Sequence, residues 1–295
     1  MQRDKRSMPE LSRFERASVA ALRLANETAL KRLQKPFHVH FGRRWVYAGI
    51  ARRLFVDRVE RVLDLNPDRG VLLCANHRSF FDMYLTMLVL YHRRCRWLER
   101  IYFPVRANFF YENPVGVLIN CVVGGGAMYP PIFRDPAKSK WNEDAVDRIC
   151  RFLQDPGTVV GMHPEGTRNK TDDPYTLLPA QPGTGQIVLK ARPIVVPLFI
   201  LGVDNDFVGS IAKTWQPNSH LTEPVILTFG EPFDYSHYLD KKPRLALYKK
   251  LSDEIAAEIA KLGQREKMLR QQILDRQLDR DPRWVHWREP RNGAR

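Results

Sequence analysis

The sequence is short of the features that most often disclose where a protein works and by what chemistry. It has no run of 18 or more apolar residues, the length a helix needs to cross the hydrocarbon core of a bilayer. Its first 30 residues carry charges throughout rather than a basic start followed by an apolar stretch. Both a membrane-spanning helix and a cleaved signal peptide are therefore argued against. Only four cysteines occur, Cys74, Cys95, Cys121 and Cys150, and none is in a C-x-x-C spacing. A disulfide-stapled scaffold and a cysteine zinc site are excluded on that count, and a reducing cytoplasm fits best. The eight histidines lack H-E-x-x-H or similar ligand spacing, and no serine sits in a G-x-S-x-G elbow. Neither a zinc site nor an α/β-hydrolase nucleophile is indicated. No internal repeat or low-complexity tract interrupts the chain.

What is present is a sufficient core and an uneven charge. Hydrophobic residues make up 44% of the 295, enough to bury a core of full domain size. The net charge of +14 is concentrated at the ends. Residues 1–70 hold 16 Lys/Arg against 8 Asp/Glu and residues 261–295 hold 10 against 5, which leaves +1 for the middle. Basic ends predict contact with an anionic surface, either lipid or nucleic acid.

The hydrophobic spacing changes along the chain. Residues 9–34 place Leu11, Phe14, Leu22, Ala25 and Ala29 at helical intervals, predicting an amphipathic helix that Lys35-Pro36 ends. Residues 43–55 mix Trp45, Tyr47, Ile50, Leu54 and Phe55 with four arginines, the pattern of a helix lying flat at a bilayer interface. From residue 58 onward, short apolar runs alternate with helical stretches. Strands are expected at residues 71–75, 158–162, 194–200 and 225–229, and helices at 141–154 and 243–262. The expected fold is α/β, a mixed central sheet flanked by helices, with an N-terminal amphipathic helical pair and a basic C-terminal helix. Three parts follow: residues 1–57 as interfacial helices, 58–262 as the catalytic domain, and 263–295 as an exposed basic helical tail.

Two loops carry groups capable of chemistry. Asn76-His77-Arg78-Ser79-Phe80-Phe81-Asp82 follows the first expected buried strand, and strand ends in α/β sheets are common ligand sites. A helical turn within this loop brings Asp82 to one ring nitrogen of His77, fixing the tautomer and leaving the other nitrogen free to take a proton. Alone, H-x-x-x-x-D is a weak signal that marks a structural His/Asp pair more often than not. The second loop, His163-Pro164-Glu165-Gly166-Thr167-Arg168, follows the strand at 158–162. Gly166 permits close approach of a ligand, Thr167 adds a hydroxyl, and Arg168 offers the forked donors suited to phosphate.

Taken together, these loops resemble the signature of the glycerolipid acyltransferases, N-H-x-S-x-x-D followed by P-E-G-T-R, a family that includes the 1-acyl-glycerol-3-phosphate acyltransferases. The likeness extends over residues 58–235. It implies that His77, oriented by Asp82, takes a proton from a lipid hydroxyl as that oxygen attacks an acyl thioester on coenzyme A or an acyl carrier protein. It further implies that Asn76, Ser79, Glu165, Gly166, Thr167 and Arg168 line the acceptor site, with Arg134 as a second cation. The strand around Pro197 is implied on the thioester side, with neither metal nor redox cofactor. The expected acceptor is a lysophospholipid, lysophosphatidic acid first, met by a peripheral protein on the anionic inner face of a membrane. In three places the chain departs from the common pattern. The middle block runs long, from Gly126 to Arg134; Gln181-Pro182-Gly183 stands where many members have K-x-G; and His163 replaces a frequent phenylalanine. Glycerol 3-phosphate or a non-glycerol lyso-lipid thus stays open as acceptor. The rival of another class is a non-enzymatic basic protein binding nucleic acid or membrane; nucleic acid is disfavoured because it demands a basic centre that this chain lacks.

Overall fold

The apolar runs do pair side by side. In the computed structural model, which describes residues 8–203 and 206–286, six strands form one mixed sheet. They are β1 (Leu54–Asp57), β2 (Val71–Ala75), β3 (Arg100–Tyr102), β6 (Thr158–Met162), β7 (Ile194–Leu201) and β8 (Val225–Phe229), in the spatial order β1-β8-β7-β2-β6-β3. Strands β7, β2, β6 and β3 run parallel, and β8 meets β7 antiparallel with β1 alongside it. A separate two-stranded ribbon pairs β4 (Val105–Arg106) with β5 (Pro131–Ile132). Strands β2 and β8 are buried at every position, which is why they read as continuous apolar runs rather than as alternation.

The helices in chain order are α1 (Arg13–Glu27), α2 (Gln34–Phe37), α3 (Arg43–Ile50), α4 (Glu60–Leu63), α5 (Asp82–His92), α6 (Ala107–Phe110), α7 (Pro114–Val122), α8 (Ser139–Phe152), α9 (Pro182–Ala191), α10 (Phe207–Thr214), α11 (Ser219–Thr222) and α12 (Leu245–Leu274). Helix α5 is buried from Asp82 to Tyr91 and packs with Ile50 of α3 against Leu73, Val196 and Leu198. On the other face Ile149 of α8, Ile187 of α9 and Leu251 and Ile255 of α12 cover Leu72, Val195 and Phe199. The close approach of α9 and α12 depends on Gly185, where a β-carbon would lie 2.1 Å from the Tyr248 carbonyl oxygen.

Several sequence expectations are corrected here. The first helix starts at a capping box, with Ser12 Oγ accepting from the Glu15 N–H and Glu15 Oε2 accepting from the Ser12 N–H, but it ends at Glu27, not at Lys35-Pro36. Pro36 lies inside α2, within the first turn, where its missing N–H costs nothing. The segment expected to lie on an interface instead sends Val46, Ile50, Leu54 and Phe55 into the protein's own core. Its last residues are strand β1, too short and too close to the arginines to stand out from a helical pattern. The expected C-terminal helix is present, but its described part is not an exposed tail. Helix α12 runs on to Leu274, and Leu269, Ile273 and Trp284 are buried around Phe55. The chain then covers the outer edge of β1, with Val56 N–H donating to Arg283 O at 3.0 Å and Val285 N–H donating to Leu54 O at 2.9 Å. Beneath this edge the buried Asp57 carboxylate bonds Arg265 and Arg283. Residues 287–295 of the basic tail lie outside the described residues.

Candidate active site

Both loops emerge from the carboxyl ends of neighbouring parallel strands, β2 and β6, so the register Cys74↔Met162 brings His77 beside His163. Asn76 extends the pairing one step beyond the strand. Its side-chain N–H₂ donates to Ile200 O at 2.9 Å and its Oδ1 accepts from Ile200 N–H at 2.7 Å. Both ends of the buried amide thereby hold β2 to β7, so Asn76 positions the loop.

Asp82 is the first residue of α5. Its Oδ2 accepts from the backbone N–H of Arg78 and of Ser79, each at 2.9 Å, and lies 3.1 Å from His77 Nδ1. A carboxylate at this position assigns the proton to Nδ1 and leaves the Nε2 lone pair available. The His77 side chain is 20% exposed whereas that of Asp82 is 2% exposed, so the pair opens to the outside through the imidazole alone. Ser79 is fully buried, and its Oγ accepts from the Phe81 N–H at 3.2 Å at the start of α5.

Glu165 fastens the two loops together. Its Oε1 accepts from the His77 N–H and its Oε2 from the Leu178 N–H, both at 2.8 Å, and the Asn169 N–H donates to the His77 carbonyl at 2.7 Å. A buried carboxylate so engaged is an anchor for the His77 backbone, not a phosphate ligand. Gly166 adopts φ +63°, a left-handed conformation that favours glycine. His163 forms a shelf under His77: the rings stack at 3.8 Å with 8° between their planes. Its Nδ1 is 2.9 Å from Asn76 O and 3.1 Å from Ala75 O, which assigns the Nδ1 proton to those carbonyls.

Three arginines surround the opening. Arg168 closes the second loop. Arg106, at the end of β4, donates to Gly166 O at 2.9 Å. Arg134 is exposed, and the pairing of β4 with β5 brings it near enough to depress Arg106 together with Arg168 and burial. Burial, with repulsion from Arg168 and Arg106, pushes the His77 imidazole down to about 4. Burial pushes Asp82 up to about 6 against the pull of its two N–H donors, so at neutral pH His77 is neutral and Asp82 largely ionised. Burial and the neighbouring His77 push His163 down to about 3. Arg106 was missed in the sequence, where no spacing rule marks it. Pro197 is not part of the cluster. It sits within β7 opposite Cys74, and its ring lies against Gly230 on the α12 side of the sheet.

Ligand atoms of His77, Asp82 and His163 lie within 4.8 Å of one another. Parallel stacked rings, however, direct their in-plane lone pairs side by side rather than toward a common point, and His163 Nδ1 and Asp82 Oδ2 already hold hydrogen bonds. The donor set fits a base, its orienting carboxylate and an aromatic support better than a metal cage.

A protein-family model described as Acyltransferase matches residues 57–201, the span that contains both loops and the arginines. This chain carries an acyltransferase domain. That domain is of the family of PlsC-type lysophospholipid acyltransferases, and it makes the chain an enzyme that transfers acyl groups. No curated protein sequence matches it. Among the described residues, no helix of this acyltransferase is long and apolar enough to cross a membrane.

Proposed function

We propose that this acyltransferase moves a fatty acyl group from a thioester, on coenzyme A or an acyl carrier protein, to the hydroxyl of a lysophospholipid, foremost 1-acyl-glycerol-3-phosphate, in phospholipid synthesis. The observation that carries this reading is the His77–Asp82 pair, with a partly exposed imidazole whose Nε2 is unprotonated, beside Arg106 and Arg168, with Arg134 near Arg106. His77 Nε2 accepts the acceptor's hydroxyl proton as the oxygen attacks the thioester carbonyl carbon. The C–S bond breaks, and the departing sulfur takes the proton back from the imidazolium, so that a thiol and an ester leave and the enzyme is unchanged. Asp82 holds the tautomer and stabilises the transient imidazolium. Arg106, Arg134, Arg168 and Thr167 bind the acceptor phosphate, with guanidinium forks suited to its oxygens. The chemistry requires neither metal nor redox cofactor, and the two amphiphilic substrates place the enzyme peripherally on an anionic membrane face.

Thiol release from a long-chain acyl-coenzyme A and from an acyl carrier protein, measured over a panel of acceptors, tests this reading. Release should be fastest with lysophosphatidic acid. Faster release with glycerol 3-phosphate, or with a lyso-lipid lacking phosphate, would move the acceptor assignment, and absence of release with every acceptor and both donors would refute the reaction.

A further inference from the structure

Two stretches of the chain depart from its general composition in opposite ways. Between Thr28 and Val56 there are seven Lys/Arg and not one Asp or Glu, and between Asn113 and Phe133 there is no charged residue at all. The second stretch contains α7, which turns Val115, Leu118 and Val122 outward at 59%, 61% and 47% exposure. An uncharged aliphatic helix face left in the open is unusual for a chain of net charge +14. The first stretch exposes Leu30, Leu33 and Phe41 among its cations.

The structure brings these stretches together. Past the end of α7, Gly125 packs so closely on the Phe37 ring that a β-carbon there would lie 2.5 Å from it, and Phe37 in turn meets Phe41 at 5.3 Å. At its other end α7 is seated on α6, with Gly116 against the Phe109 carbonyl. The half-exposed Phe109 ring meets Phe80 at 5.5 Å, and Phe80 lies three residues beyond His77. One end of α7 thus adjoins the cationic N-terminal corner through Gly125 and Phe37, and the other adjoins the catalytic loop through Gly116, Phe109 and Phe80.

We propose that α7 and the Leu30–Phe41 corner form one face that seats on an anionic lipid bilayer, α7 dipping among the acyl chains while the surrounding cations meet the headgroups, so that lipid reaches His77 over Phe109 and Phe80. The proposal rests on the lysophospholipid reading above and adds the surface through which substrate arrives. Aliphatic side chains supply the burial and Arg32, Arg43 and Arg44 the attraction to anionic headgroups. The face keeps part of the 1–57 segment expected from sequence and adds α7 to it, while the apolar side chains of residues 43–55 are mostly spent inside the fold.

The test is co-sedimentation of the full chain with vesicles of phosphatidylcholine containing a third phosphatidylglycerol, alongside the Leu118→Asp/Val122→Asp variant. The wild type should bind, more weakly in high salt or on pure phosphatidylcholine, and the variant should bind at least tenfold more weakly with an unchanged circular dichroism spectrum. Transfer to a short-chain acceptor dispersed as monomers should stay within twofold. A second variant, Leu118→Trp, replaces an exposed side chain without touching the core, and its emission should shift to the blue on vesicle addition. Vesicle binding equal to wild type in the double variant, no blue shift, or a wild-type dimer that the double variant dissolves in the absence of lipid would each overturn the proposal. Because binding is read without substrate, failure of the acyl-transfer reading and failure of this surface are distinguished.

Discussion

Replacing Arg106 by Gln probes the site through a residue that no motif identifies. The guanidinium bonds Gly166 O at 2.9 Å and contributes to depressing the His77 imidazole, so two effects are expected. A charge-assisted contact to a phosphate contributes about 1.5–3 kcal/mol, which corresponds to a roughly 10- to 150-fold loss in kcat/KM for a phosphorylated acceptor. The KM of the acyl donor should change far less. The second effect is on pH. Removal of one of two cations near His77 makes the imidazolium less unfavourable, so the proton is taken up at higher pH and the acidic limb of the rate profile moves upward. Steady-state kinetics with lysophosphatidic acid and acyl-coenzyme A, repeated across pH, measures both. A loss confined to the donor KM, or an acidic limb that stays in place or moves downward, would refute the placement of Arg106 beside both the phosphate and the base. Arg106→Lys should recover part of the acceptor affinity and restore the limb, because the charge returns without the fork.

Asp82→Asn keeps the shape of the pair but withdraws the charge that stabilises the imidazolium and lets the wrong tautomer form; kcat should fall about 100- to 10,000-fold with little change in either KM, and a fall of less than tenfold would contradict the orienting role. In the wild type, activity should be lost as pH falls through about 6, where burial places the Asp82 titration and the His77–Asp82 pair takes up its proton. His38 gives a stability prediction. Both its ring nitrogens lack hydrogen-bond partners, and burial pushes its imidazole from 6.5 down to about 4. Between those values the unfolded chain binds a proton that the folded chain refuses, so stability is complete above the upper value and is lost as pH falls across the window. His38→Leu should therefore raise stability by about 1–3 kcal/mol at neutral pH by removing an unsatisfied buried polar group, and should flatten the acid limb of thermal unfolding; an unchanged limb would mean that His38 does not contribute to it.

How far the sequence disclosed all this depended on how local each signal was. Strands β2, β6 and β8 could be placed from short, mainly apolar runs next to Pro or Gly, because a strand buried on both faces needs no alternation. Strand β1 could not, since Leu54 and Phe55 continue a helical-looking series and only the distant pairing with Val225–Phe229 and the cover by Arg283–Val285 makes them a strand. His77 and Asp82 were legible because they lie on one loop and their geometry is set by five residues of chain. Glu165 was legible as a site residue but not in its role, which depends on the N–H of His77, 88 residues away. Arg106 had no signal at all, because its proximity to Arg134 and Arg168 arises from the β4–β5 ribbon and not from spacing. The stacking of His163 on His77 follows from the registry of β2 and β6 and likewise appears only once the strands are paired. The exposed face of α7 was hidden for the opposite reason, since an apolar run reads as core until the fold shows which side of it is left uncovered.

The central claim is that His77 Nε2 removes the acceptor's proton. The most direct measurement is acceptor-dependent thiol release by His77→Ala beside the wild type at neutral pH, with near-ultraviolet circular dichroism to confirm that the fold is retained. A loss of at least 1,000-fold in kcat, with donor and acceptor binding little altered, is the predicted result. Retention of a tenth or more of the wild-type rate in a correctly folded variant would contradict it.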